Sequence, residues 1–173
     1  MRKKLLSVGI IFALLCTFGI PKIYAQAYVL NGYLCSTPNN VTYSIDTSVA
    51  SFVSEIRTYA QKWENCPEIE MVSTTYDGFI RITGELNVST GNYATCYYFP
   101  NSNDYHIITL YNDYATAPDT YRYETIVHEV GHALGLSHCN PEDNEISVMR
   151  EFDFNLKPYP LSDDKEGIAF LYY

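Results

Sequence analysis

His128-Glu129-Val130-Gly131-His132-Ala133-Leu134-Gly135-Leu136-Ser137-His138 gathers three histidines and a glutamate into one short run. Over residues 121–134 the apolar side chains fall at Tyr123, Ile126, Val127, Val130, Ala133 and Leu134, the spacing of one helical face. His128 and His132 lie off that face, and a helix stacks them about 6 Å apart along its axis, where two imidazoles can converge on one ion. Glu129 is turned about 100° from His128 and flanks the same point. If the helix simply continued, His138 would lie about 15 Å up the axis from His128 and off the face. The helix therefore has to stop and the chain turn back. Gly135 is placed for that stop, because glycine enters the left-handed conformation without a side-chain penalty.

Three neutral histidines arranged this way would hold a tetrahedral zinc with its fourth position open for water. A carboxylate beside that water, Glu129, can take a proton and later pass it to a leaving amine. The full pattern, H-E-x-x-H-x-x-G-x-x-H, resembles the signature of the metzincin zinc metallopeptidases, whose second mark is a methionine turn beneath the zinc. Ser147-Val148-Met149-Arg150 fits that turn, and Leu161-Ser162-Asp163-Asp164-Lys165-Glu166-Gly167-Ile168-Ala169-Phe170-Leu171-Tyr172 is similar to the closing helix of the matrixin branch. The resemblance is strong over the C-terminal third and holds in outline before it.

The resemblance implies a secreted zinc-dependent endopeptidase that hydrolyses peptide bonds in proteins or peptides through a zinc-activated water. His128, His132 and His138 would be the metal ligands and Glu129 the catalytic residue, with Met149 and Gly135 structural beneath the site and one zinc per chain. Arg150-Glu151-Phe152 after Met149 departs from the tyrosine or proline that some branches carry there. Tyr159, in the loop expected to wall a primed-side pocket, is an outside candidate for stabilising the oxyanion. His106, the one histidine outside the signature, reads as a strand or surface residue.

Working back from the signature, residues 41–45, 69–73, 79–86, 92–99 and 105–111 read as strands. A helix between the first two carries its apolar face on Val49, Phe52, Val53, Ile56, Tyr59, Ala60 and Trp63 and ends near Pro67. Asp46, Thr47 and Ser48 offer caps for it, as Asp119 or Thr120 do for the signature helix and Ser162 for the last. Strand, helix and further strands require a crossover. The expected fold is thus α+β: a twisted mixed five-stranded sheet, two long helices and a C-terminal helix. By the family resemblance, 92–99 is the edge strand that would bind an extended substrate by strand addition.

Arg2, Lys3 and Lys4 followed by an apolar run to Ile20 read as a secretory signal cleaved after Ala25. The division is signal peptide 1–25 and catalytic domain 26–173, in a secreted or periplasmic protein without stable membrane insertion after cleavage. The chain holds 11 Lys and Arg against 20 Asp and Glu. Losing Arg2, Lys3, Lys4 and Lys22 leaves 7 against 20, a charge of −13, which repels nucleic acid and anionic membranes. The expected partner is a protein or peptide substrate, and the expected state a monomer.

Cys35, Cys66, Cys96 and Cys139 allow three pairings in an exported domain, of which Cys35–Cys66 with Cys96–Cys139 is the favoured one. A competing use of Cys35 is latency, since Cys35-Ser36-Thr37-Pro38-Asn39 faintly resembles the matrixin segment whose thiolate covers the zinc. Acidic loops at 101–104, Asp113 and 142–145 offer oxygen ligands for calcium. Two other classes compete: a zinc-stabilised binding module without hydrolysis, and a zinc hydrolase acting on cell-wall peptides.

Overall fold

Burial alternates along the strands of the computed structural model, which describes residues 28–99, 105–139 and 145–173. The signal segment, the 101–104 loop and most of 142–145 lie outside those residues. In β5 (Tyr105–Tyr111), His106, Ile108 and Leu110 are buried between half-exposed neighbours. In β3 (Ile80–Glu85), Ile80 and Ile82 turn inward in the same way. This period of two puts one sheet face against the helices.

The sheet order is β2-β1-β3-β5-β4, with β1 (Val41–Ile45), β2 (Met71–Thr74) and β4 (Ala94–Phe99) completing it. β1 runs parallel to β2 and β3, β3 parallel to β5, and only β4 is antiparallel, at the edge where it was expected. A parallel β1–β2 pair needs a crossover, which residues 47–65 supply. They form a 3-10 turn (Thr47–Phe52), helix α1 (Val53–Ala60) and a second 3-10 turn (Gln61–Asn65) in place of one long α-helix. Asp46 caps this stretch by accepting from the Ser48 N–H at 2.8 Å.

A short helix that the sequence pattern does not announce, α2 (Asn112–Thr116), follows β5 and seats Tyr114, whose hydroxyl donates to Glu55 at 2.6 Å. Helix α3 (Asp119–Ala133) packs on α1 and on the sheet with Ile126, Val127, Val130 and Ala133 buried. Two expected caps are displaced. Pro118 holds the N-cap of α3 without a side-chain cap, and its carbonyl accepts from Tyr121 and Arg122 while Asp119 pairs with Arg122 at 2.8 Å. Helix α4 (Ser162–Tyr172) starts on Ser162 itself, with Leu161 as N-cap and its N–H bound by Asp164 at 2.7 Å.

Trp63 is fully buried, as expected of a core residue, and its Nε1 donates to the Val127 carbonyl at 2.9 Å, tying the crossover to α3. Among the described residues no helix is long and apolar enough to cross a membrane.

The expected disulfides are not formed. Cys35 is buried beside Thr37, with its N–H on the Tyr172 hydroxyl at 3.0 Å, whereas Cys66 sits where the charges of Glu68, Lys165 and Asp164 reach it. Cys96 turns its sulfur to His106 Nδ1 at 3.7 Å, while Cys139 lies in a bridge with Arg150 behind the third histidine.

Candidate metal centre

Helix α3 presents His128 and His132 one turn apart and stops as the sequence requires. Gly135 takes φ +102°, its N–H reaches the His132 carbonyl at 3.1 Å, and the Leu136 N–H reaches the Gly131 carbonyl at 3.0 Å. This doubly bonded ending satisfies two carbonyls that a helix end would otherwise leave open. A Cβ at Gly135 would also meet the Tyr33 carbonyl oxygen at 2.5 Å, so both conformation and space demand glycine.

The turned-back chain brings His138 to the other two. The three Nε2 atoms form a triangle with sides of 3.1, 3.2 and 3.2 Å. A tetrahedral zinc with Zn–N bonds of about 2.0–2.1 Å needs nitrogens about 3.3–3.4 Å apart, so the triangle fits. Proton placement sharpens the point. His128 Nδ1 lies 2.9 Å from the Val148 carbonyl and His132 Nδ1 2.9 Å from the Leu136 carbonyl. A carbonyl only accepts, so each Nδ1 carries the proton and each facing Nε2 is a bare lone pair. Two lone pairs 3.1 Å apart repel unless a cation lies between them. Burial and the neighbouring imidazoles keep the rings neutral, pushing His128 down to about 3 and His132 to about 4; His138 is lowered as well. Among the described residues, these three are the one group of His, Cys, Asp or Glu side chains able to hold a metal ion.

Glu129 is 7% exposed, and loss of solvent alone pushes its carboxyl up to about 8. A divalent cation at the triangle would oppose that shift by favouring the ionised form.

The floor of the site combines Met149, read from the sequence as lying beneath it, with residues whose role the sequence pattern leaves unassigned. Met149 is buried under α3, where a Cβ at Gly131 would collide with its sulfur and come within 2.7 Å of Trp63. Asp164, also buried, accepts from Ser147 Oγ at 2.6 Å, the Val148 N–H at 2.8 Å and the Leu161 N–H at 2.7 Å. Desolvation raises its carboxyl while those donors pull it down. Asp164 therefore fixes Val148, whose carbonyl orients His128. On the other side, Asn31 Nδ2 donates to the His132 and Leu136 carbonyls at 2.8 and 3.1 Å, and Leu30 bridges to Leu136. Leu136 O thereby serves both Asn31 and His132 Nδ1. Nothing in the pattern around Asn31 marks it; for Asp164, a second acid at a helix start was the one available signal.

Other candidates fall elsewhere. Cys35 is in the core against Tyr172 and is not brought to the histidines. His106 is a buried strand residue among the rings of Tyr33, Phe79 and Tyr98, and burial pushes it down to about 4. Tyr159 is exposed and is not among the residues lining the cleft, which include Tyr93, Glu124, His128, Glu129, His138, Arg150 and Phe154. Burial raises the Glu124 carboxyl, and the backbone of residues 155–157 and the charge of Arg150 oppose it.

A helix that ends at a glycine so that a third imidazole swings onto the first two, above a methionine turn, is the arrangement of the metzincin-like zinc peptidases, and the fold is of that class. The particular likenesses agree. The chain is 31% identical over 117 residues to serralysin C of Dickeya chrysanthemi, which spans 60% of this chain and 24% of that protein. It is 33% identical over 129 residues to serralysin of Photorhabdus sp. (strain Az29), spanning 65% and 26%. The chain thus spans about a quarter of the length of the curated relatives it matches. Two solved structures of myroilysin superpose with TM-scores of 0.58 and 0.56 at 17% and 18% identity. They cover 84% and 82% of this chain and 98% and 86% of theirs. No family model matches the chain.

Proposed function

We propose that this chain is an exported zinc endopeptidase that hydrolyses peptide bonds in proteins or peptides, with one zinc per chain on His128, His132 and His138. The pair of bare Nε2 atoms held 3.1 Å apart by carbonyl-anchored Nδ1 protons carries the reading. Zinc, when bound, supplies a Lewis acid for the peptide carbonyl and for the attacking water.

The chain's own residues do the rest. Glu129, at the cleft wall, takes a proton from the attacking water and delivers it to the leaving nitrogen. Val148 and Leu136 carbonyls keep His128 and His132 in the ligating tautomer. Gly135 lets His138 return to the site, and Met149 fills the space beneath α3. The outer edge of β4, unpaired among the described residues, offers backbone donors and acceptors to an extended substrate, with Tyr97 and Phe99 exposed beside it.

The test is cleavage of a mixed peptide library, read by mass spectrometry, by the zinc-loaded protein, a chelated sample and Glu129→Gln. Cleavage should vanish on chelation and fall about 10²–10⁴-fold in the variant, with zinc retained. Full turnover by a zinc-loaded Glu129→Gln protein would refute the role given to Glu129.

A further inference from the structure

Beside the three histidines the cleft deepens into a cavity of about 280 Å³, close to the lower end of ligand pockets, about 300–1,000 Å³. Its walls are aromatic: Tyr93 and Phe154 meet edge to face with ring centroids 5.2 Å apart. Its lining also holds Glu124, 2% exposed, on the face of α3 one turn before His128. Glu124 Oε1 accepts from the Asn155 N–H at 2.9 Å, which secures the loop that walls the cavity. Glu124 Oε2 is buried without a hydrogen-bond partner. A buried carboxylate oxygen without a hydrogen-bond partner is an acceptor that a donor entering the cavity would satisfy.

Charge narrows the donor. Glu124, Glu129, Glu151 and Asp153 line the cavity against a single guanidinium, Arg150, whose Nε is spent on the Asp153 carbonyl at 3.0 Å. Four acid groups against one guanidinium make the lining acidic. A neutral hydroxyl could satisfy Oε2 but would leave that charge unanswered, and an acidic side chain would add to it. An aromatic sleeve leading to a carboxylate suits a side chain with an apolar stem and a cationic end.

We propose that this cavity is a specificity pocket for a lysine or arginine side chain of the substrate, with Glu124 Oε2 receiving its ammonium or guanidinium. The proposal rests on the peptidase reading and adds the substrate class to it. Glu124 is then a specificity-determining residue for peptides that carry a basic side chain at one fixed position beside the cleaved bond.

Two measurements keep this proposal apart from the reading beneath it. In the peptide library, the zinc-loaded protein should favour Lys or Arg over Leu or Glu at one position beside the cut by about tenfold or more. Glu124→Gln, which keeps an oxygen for the Asn155 N–H, should collapse that ratio. Cleavage with an apolar, acidic or absent preference would overturn the pocket assignment while leaving the peptidase standing. A ratio unchanged in a folded Glu124→Gln protein would overturn it too. The second measurement needs no turnover: calorimetric titration of the zinc-loaded protein with N-acetyl-arginine amide, N-acetyl-leucine amide and N-acetyl-glutamate amide. Tighter binding of the arginine amide supports the pocket even where no peptide is cut, and equal binding of all three would overturn it.

Discussion

His132 and His138 face the same point but are held in different ways. His132 rides on a 15-residue helix, its Nδ1 proton fixed on the Leu136 carbonyl, which Asn31 also grips. His128, on the same helix, has its Nδ1 fixed on Val148. His138 comes from an extended stretch, is exposed, and among the described residues has no hydrogen bond to its Nδ1. The two helix ligands are oriented through their own Nδ1 hydrogen bonds, whereas the third is brought to the triangle by the course of the backbone. The centre thus has one half oriented through its ring nitrogens and another positioned by the helix stop and the bridge from Cys139 to Arg150.

The largest break in that comparison is removal of a ligand from either half. His132→Ala should abolish measurable zinc binding at micromolar metal, while His138→Ala should weaken it and leave a detectable two-histidine site; equal losses in equilibrium dialysis would show that the halves do not differ. Next comes the floor. Asp164→Ala leaves the Ser147 hydroxyl and the Val148 N–H buried without their acceptor, at about 1–3 kcal/mol for each group. It should also weaken zinc by about 10–100-fold through His128. Chemical denaturation together with metal titration reads both effects. Asn31→Ala removes two neutral hydrogen bonds, about 0.5–1.5 kcal/mol each, and should affect zinc less than Asp164→Ala does.

The smallest effect is on acid release. Protons compete with zinc for the same Nε2 atoms, so zinc leaves as pH falls. Because burial already holds His128 and His132 neutral down to about 3 and 4, half-release should lie below pH 6.5, the ordinary imidazole value. Metal content after dialysis across pH 4 to 7 checks this.

The parts of this site that sequence reasoning reached are those fixed by local spacing. Helical period, the glycine stop and the third histidine are set within eleven residues, and strands with clear alternation, such as β1 and β5, came out at their observed bounds. Long-range bonds were out of its reach. Asn31 acts on residues 101 and 105 positions away, and Asp164 on its turn from 16 and 17 away, so no window along the chain shows either. The cysteine pairing was out of reach in the same way: count and compartment say that sulfurs could pair, but not whether the fold joins them. Cap positions missed by one residue because Pro118 and Leu161 hold the caps while backbone carbonyls and Asp164 do the capping.

The most direct test of the prebuilt triangle is zinc K-edge X-ray absorption on the protein loaded with one equivalent of zinc at neutral pH. Three imidazole nitrogens at about 2.0–2.1 Å and one further light ligand are expected. A sulfur scatterer at about 2.3 Å, or fewer than three imidazoles, would contradict it by placing a cysteine such as Cys35 on the metal or leaving the third histidine off it.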